Sequence, residues 1–359
     1  MNGPKRRVLP FFIPQEGCPN QCIYCDQKAA SGFAASPSSR DVATALAAYD
    51  GPVPVQAAFY GGSFTALSLA RQNAYLEAAA GALREGKVSS LRLSARPDGI
   101  EAETVARLRE RGVATVELGL QSMNDGVLRA CRRSCDSAAA RAALALLKEQ
   151  GMETVAHLMT GLPLSGARES LRDAFELAKL APQAVRLSPT LVLKGTPLER
   201  LWLAGEYQPQ GLQEAVGLCR DMAAVFLAHN IPVIRMGLNE TNGLRGAVAA
   251  GPYHPAFGHL VYGALAREQM RMLLRLWQGE PCLLLPPAYF AAVAGDLAAN
   301  KKWLRELYGE KITLRADKSL PERALALAEG PGVARWKILT WEGFLRLYTE
   351  SLLQGGGDM

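Results

Sequence analysis

Three cysteines fall within eight residues, in Cys18-Pro-Asn-Gln-Cys22-Ile-Tyr-Cys25. Thiolates are soft ligands that select zinc or iron–sulfur clusters. A structural zinc wants a fourth ligand, yet the nearest histidine in the chain is His157 and no fourth cysteine lies close by. Three thiolates suit a 4Fe–4S cluster that leaves one iron free for another ligand. The competing reading is three core cysteines on one helix face, because the spacing is i, i+4, i+7. Gly17, Pro19, Asn20 and Gln21 make a buried helix awkward there.

Further unusual residues recur at intervals downstream: Gly61-Gly62-Ser63, then Ser94-Ala95-Arg96-Pro97-Asp98, then Glu117-Leu-Gly-Leu-Gln121-Ser122, and His157-Leu-Met-Thr-Gly161-Leu-Pro163. Each follows or ends a short apolar run. The runs at 8–13, 55–60, 91–95, 115–119, 154–159, 184–188 and 233–236 read as strands buried on both faces of a parallel sheet. Amphipathic stretches at 39–49, 69–84, 101–111, 137–150, 169–180 and 213–229 alternate with them, and Gly112, Gly151 and Asn230 fall where helices should stop. Repeated β-then-α order predicts an α/β fold with a parallel sheet, doubly wound or curled into a barrel. In both, reactive groups sit at the C-terminal ends of the strands. One site fed by successive strand ends is the simplest reading.

Apolar residues make up 49% of the 359, charged residues 21%, and the formal charge is +6. This excludes a disordered chain, a collagen-like repeat and a disulfide mini-protein. The charge tolerates a polyanionic partner without demanding one. No apolar stretch is long enough to span a membrane, so no membrane association is expected. Lys5-Arg6-Arg7 and the apolar residues after it imitate a signal peptide, but Pro10 and Pro14 interrupt the run and the cysteines follow at once. A cytoplasmic protein is expected, where clustered cysteines bind metal more often than they form disulfides. Past residue 236 the alternation ends. Helices at 259–277, 288–307 and 341–353 with strands at 282–285 and 312–316 predict a small α+β domain, so the domains are drawn at 1–235 and 236–359. Tyr253, His254 and Phe257 either cap the barrel mouth and line a substrate pocket or form a structural turn. Cys131 and Cys135 read as thiols rather than a second cluster. Lys301-Lys302-Trp303 with Arg305 reads either as a phosphate-binding, base-stacking patch or as a solvated face, the stretch after residue 250 carrying 13 basic against 11 acidic residues.

The CxxxCxxC loop, with Tyr24 before its last cysteine and a strand before it, resembles that of the radical S-adenosylmethionine (SAM) enzymes. The resemblance covers residues 8 to about 235 and implies a partial (β/α)6 barrel. It implies that Cys18, Cys22 and Cys25 hold a 4Fe–4S cluster, that SAM chelates the open iron, and that reductive cleavage of SAM starts the chemistry. Tyr24 would belong to the cofactor site. Gly61, Gly62 and Ser63 resemble the glycine-rich motif that receives the SAM amino group, glycine letting main chain approach closely. Ser94 and Arg96 stand where relatives place polar contacts to the SAM ribose, although Ser94 occupies a position often acidic in porphyrinogen-type relatives. Gln121 matches a ribose contact, and Arg133 (or its neighbour Arg132) an arginine that pairs with the SAM carboxylate. His157 would contact SAM or carry a proton, a core histidine being the alternative.

Within the family, Val185-Arg-Leu-Ser-Pro189-Thr190-Leu-Val-Leu-Lys194-Gly195-Thr196, together with 95–98 and 117–122, is similar to the Elongator catalytic-subunit-like group, which modifies wobble uridine in transfer RNA. Two departures stand against full membership. That group spaces its first two cluster cysteines further apart, and it carries an acetyltransferase domain, whereas 251–359 shows no glycine-rich loop to cradle acetyl-CoA. The resemblance therefore implies a radical SAM enzyme acting on an RNA base, with tRNA as substrate and a flavodoxin or ferredoxin as electron donor. The alternatives are an enzyme acting on a small molecule or tetrapyrrole, as coproporphyrinogen oxidases do, or a non-catalytic iron–sulfur or heme-handling protein.

Overall fold

The computed structural model describes residues 7–14, 16–18, 22–238, 241–275, 277, 281–309, 312–328 and 335–355. The chain divides into two compact units, Met1–Gly211 with Ile231–Pro255, and Leu212–Asn230 with Ala256–Met359. The boundary expected at 235/236 is thus replaced by an exchange of segments. The helix at Leu212–Ala228 packs within the second unit on helices at Phe257–Leu274 and Trp341–Gly355, while Val233–Met236 adds a strand to the first.

The first unit carries strands β1 (Arg7–Ile13), β2 (Val55–Gly61), β3 (Ser90–Ala95), β4 (Val113–Gln121), β5 (Glu153–Thr160), β6 (Ala184–Pro189), β7 (Val192–Leu193), β8 (Val233–Met236) and β9 (Val248–Ala250). Its main sheet runs β1-β2-β3-β4-β5-β6-β8, every pair parallel, and β7 and β9 form a separate antiparallel pair. Each crossover steps to the next strand in the same direction, so the sheet is singly wound into a curled half-barrel rather than doubly wound. All seven runs expected to be strands take part in this sheet, the six of the half-barrel with β8 added at the edge.

Helices α1 (Gln27–Ser31), α2 (Ser39–Ala47), α3 (Leu69–Arg84), α4 (Ala102–Glu110), α5 (Asp125–Ala130), α6 (Ser137–Glu149), α7 (Ala167–Leu180), α8 (Pro197–Leu203), α9 (Leu212–Ala228) and α10 (Asn242–Ala247) follow in chain order. Local signals set their ends. Ser38 and Asp41 form a reciprocal capping box on α2, and Asp136 caps α6 by accepting from Ala139 N at 2.8 Å. Gly112 and Gly151 close helices with φ of +85° and +68°. Helices α5 and α8 are too short to show a periodicity, but Thr196 with Pro197 marks the start of α8.

The strands are not buried alike on both faces. Gln56, Ala58 and Tyr60 on β2 alternate with apolar neighbours, as do Ser90, Arg92 and Ser94 on β3, and Thr115, Glu117 and Gly119 on β4. The odd residues of β5 and the even residues of β6 continue that row, His157 pairing in register with Gly119 and Arg186. Period-two alternation places these side chains on one inner, polar face while Leu91, Leu93, Leu118, Leu158 and Leu187 pack outward.

The second unit adds α11 (Phe257–Leu274), β10 (Cys282–Leu285), α12 (Phe290–Ala294), α13 (Ala299–Tyr308), β11 (Thr313–Ala316), β12 (Leu325–Ala328), β13 (Arg335–Leu339) and α14 (Trp341–Gly355). Its sheet runs β11-β10-β12-β13, with only the β10–β11 pair parallel. The single helix expected over 288–307 is instead broken, because Gly295, Leu297 and Ala298 all take positive φ. Strands β12 and β13, in 325–339, had no counterpart in the sequence reading.

Candidate functional site

The cysteine loop leaves β1 and is anchored by its apolar residues. Ile23 and Tyr24 are buried in a cluster with Val127, Cys131, Leu162, Val192, Leu198 and Tyr207, against which Cys22 and Cys25 pack. Ile23 N donates to Cys131 O at 3.3 Å, Leu198 N to Ile23 O at 2.9 Å, and Cys25 N to Cys22 O at 3.0 Å. Cys131 is therefore a buried packing thiol beside the loop. Burial, followed by the proximity of Cys22 and Cys18, pushes the Cys25 thiol up to about 12. Burial likewise raises Cys18, with Arg96 opposing and Cys22 reinforcing it. Thiolates at these positions repel one another, and a cationic metal centre relieves that repulsion. Among the described residues no group of three or more His, Cys, Asp or Glu is gathered as a metal cage.

The glycine turn after β2 is stapled to this loop. Gly62 N donates to Ile13 O at 3.0 Å and Ser63 N to Glu16 O at 3.2 Å. A Cβ on Gly62 would lie 1.6 Å from Glu16 O, and one on Gly61 2.5 Å from Ile13 O. Here the glycines serve the approach of two strand-end loops to each other. Buried Ser63 extends the staple to β3, its Oγ accepting from Arg96 N at 3.1 Å.

Arg96 donates from Nε to Asp98 Oδ1 at 3.0 Å and makes further short contacts to Asp98 and Ser134, joining the end of β3 to the segment after α5. Ser94 lies half-buried on the inner face, paired in register with Glu117. Of the two adjacent arginines, Arg132 is exposed with φ +55°, and Arg133 turns to the cysteine loop. Its Nη1 lies 3.6 Å from Cys22 Sγ and 3.4 Å from Tyr24 Oη, and its Nη2 donates to Gly119 O and Cys135 Sγ. Its Nε is buried with no hydrogen-bond partner. Gln121 ends β4 in the left-handed region at φ +72°, and its Oε1 is also buried and unpaired. A strained non-glycine residue with an unsatisfied acceptor costs free energy that a polar ligand can return. An acceptor from Gln121 and a donor from Arg133, beside three thiols, fit a SAM molecule that chelates a cluster. His157 Nε2 lies 3.0 Å from Ser188 Oγ. Burial, then the charge of Arg186, lowers its pKa to about 3, which favours the neutral imidazole near neutral pH.

The sequence reading passed over Glu117 as a residue in its own right. Its Oε1 accepts from Tyr60 Oη at 2.8 Å and Arg92 Nη1 at 2.7 Å, and its Oε2 from Arg186 Nη1 at 2.6 Å. Burial would raise its pKa, but Arg186 and Arg92 prevail and hold it at about 2. Arg92 Nε donates to Gln56 Oε1 at 3.1 Å, and Gln56 Nε2 to Thr115 Oγ1 at 3.0 Å. Four strands are thereby cross-linked through one carboxylate and its partners. The signal was the alternation of polar residues within the strands. Asp173 on α7 was also missed. It accepts from Ser122 Oγ at 2.5 Å, fixing the turn that carries Gln121, and burial raises its carboxyl to about 7. A cavity of about 620 Å³ lies at the opposite, N-terminal ends of the strands, lined by Pro54, Ser90, Val113 and Glu153, and contains none of the expected site residues.

A singly wound parallel half-barrel with a three-thiol loop after its first strand defines a class. Residues 12–177 match the radical SAM superfamily model, and residues 182–267 match the radical SAM C-terminal domain model. The chain belongs to the radical SAM superfamily and is an enzyme of that family, whose cofactors are a 4Fe–4S cluster and SAM. It is 27% identical over 277 residues to the tRNA uridine(34) acetyltransferase of Dehalococcoides mccartyi, covering 64% of this chain and 60% of that protein. It is 30% identical over 142 residues to Elongator complex protein 3 of Homo sapiens, covering 39% of this chain and 26% of that one. The solved structure of archaeal Elp3 from Methanocaldococcus infernus shares the fold, with a TM-score of 0.57 at 21% identity over 73% of this chain and 63% of that one. The chain thus spans less than two thirds of the length of these relatives. No helix among the described residues is long and apolar enough to cross a membrane.

Proposed function

We propose that this radical SAM enzyme acts on an RNA base, with tRNA as the substrate, in the cytoplasm, taking its electron from a flavodoxin or ferredoxin. The observation carrying the reading is the 64% of the chain aligned to a protein named for tRNA uridine(34). When bound, the cluster and SAM supply reductive cleavage of SAM and so begin the radical chemistry. Cys18, Cys22 and Cys25 hold the cluster. Tyr24 fixes the loop that presents them and orients Arg133. Arg133 and Gln121 bind SAM through the atoms they now leave unpaired, with Gly61, Gly62, Ser63, Ser94, Arg96 and His157 completing the cofactor wall. The unit holding Leu212–Asn230 and Ala256–Met359 contributes to binding substrate.

The test is anaerobic reconstitution with SAM and reductant, assayed against bulk tRNA and against a metabolite extract. The expected result is 5′-deoxyadenosine formation and tRNA binding that weakens steeply with salt. Undetectable tRNA binding at low salt, with SAM cleavage intact, would transfer the activity to a small molecule.

A further inference from the structure

Arg186 on β6 and Arg235 on β8 are register partners, so two guanidinium-bearing side chains stand on directly paired positions of neighbouring strands. Like charges placed this way destabilise a sheet. Among the described residues the carboxylate drawn toward them is Glu117. Its Oε1 already serves Tyr60 and Arg92, and its Oε2 is bonded to Arg186. Arg235 has no hydrogen bond or ion pair among the described residues, and Arg186 keeps a buried Nε with no partner. Burial and then the neighbouring Arg186 depress the pKa of Arg235, with Tyr60 and Glu117 opposing. His157, the next side chain along this row, is neutral. Glu153, the other carboxylate on the inner face, lies on β5 and accepts from Thr115 Oγ1 at 2.9 Å. Positive charge is left in excess where β6 and the edge strand β8 meet, although the chain could have placed a carboxylate there.

We propose that Arg186 and Arg235 form an oxyanion subsite on the inner face that receives a phosphate group of the substrate. Two adjacent guanidinium groups offer several N–H donors in planar forks, a match to the oxygens of phosphate. Arg186 is held rigidly by Glu117 and positions the subsite, while Arg235 is exposed and meets the ligand. The inference deepens the proposed reading of this radical SAM enzyme as one acting on an RNA base, and rests on it. The phosphate belongs either to a nucleotide within RNA or to a small phosphorylated molecule, and the experiment separates the two.

Enzyme carrying its cluster and SAM is titrated calorimetrically with uridine 5′-monophosphate, uridine and inorganic phosphate, as wild type, Arg235→Gln and Arg235→Lys. The monophosphate should bind at least about tenfold more tightly than uridine. Arg235→Gln should erase that difference, Arg235→Lys should keep part of it, and SAM affinity should stay the same in all three. Equal binding of uridine and its monophosphate to the wild type would overturn the subsite. So would no measurable binding of the monophosphate at low salt, or an Arg235→Gln variant that still discriminates. A tRNA arm runs in parallel. Discrimination without tRNA binding upholds the subsite and assigns it to a small phosphorylated substrate, whereas tRNA binding without discrimination upholds the RNA reading and removes the subsite.

Discussion

Each unit of the molecule is organised around one buried polar side chain, and the two are built to opposite ends. In the C-terminal unit the hub is Gln269, fully buried. Its Nε2 donates to Arg323 O at 3.0 Å and Leu339 O at 3.3 Å, and its Oε1 accepts from Tyr289 Oη at 3.0 Å. Arg323 stacks between Tyr262 and Trp341, 5.4 and 5.3 Å from their ring centres. This neutral hub is saturated by groups of its own unit. In the barrel the hub is the charged Glu117, also saturated, but its partner Arg186 and, elsewhere in the same unit, Arg133 and Gln121 are not. Arg186 Nε, Arg133 Nε and Gln121 Oε1 are buried without partners. A closed neutral network fixes packing. A charged network with buried, unmatched donors and acceptors is costly unless a ligand completes it.

The contrast can be broken most sharply at the thiols. Replacing Cys18, Cys22 and Cys25 together by Ala should remove the roughly four irons per chain that reconstitution gives and abolish SAM cleavage; a tightly held zinc without iron–sulfur absorption in the wild type would refute the cluster. Next in size is the pair of hubs. Glu117→Ala removes the counter-charge of buried Arg92 and half-buried Arg186 and should cost about 3 kcal/mol in denaturant unfolding. Gln269→Leu should cost about 1–3 kcal/mol while leaving SAM cleavage per folded molecule unchanged. Equal losses of activity in the two variants would erase the distinction between them.

Arg133→Ala should weaken SAM binding by about tenfold or more with iron content retained; loss of both together would make Arg133 a structural residue. Asp173 gives a pH signature. Its carboxyl moves from 3.8 to about 7 on folding, so between those values the folded chain holds more protons than the unfolded one. Its contribution to stability therefore falls as pH rises through that window, and Asp173→Asn should flatten the melting temperature there. The smallest effect is expected in the C-terminal unit. Lys301 Nζ lies 5.0 Å from the Phe290 ring centre and Arg267 covers Trp303 at 4.6 Å. The Lys-Lys-Trp patch is thus partly engaged in packing, and Lys301→Ala with Lys302→Ala should change the salt dependence of RNA binding little. A clear drop in that slope would restore the patch as a nucleic-acid surface.

Much of this was legible in the chain. Thiol spacing specified iron–sulfur chemistry because ligand type and count are local, covalent properties of a short loop. Strand and helix alternation gave the parallel sheet because buried strands and amphipathic helices have different periods. The break at 295–298 escaped because Leu297 and Ala298 take left-handed conformations that their side chains do not advertise. The exchange of segments between units escaped because α9 reads as one more barrel helix until its packing partners are known.

What the sequence alone determined was the thiol loop, the order of elements and the strand ends where reactive residues gather. Only the tertiary structure decided between Arg132 and Arg133, made Glu117 a hub, and set Arg235 beside Arg186, whose one described carboxylate partner, Glu117, is shared with Arg92. The last two outcomes depend on which residues face inward on strands whose partners lie 25 to 69 positions apart in the chain, and register between distant strands is fixed by the packed sheet as a whole, not by any local run of residues.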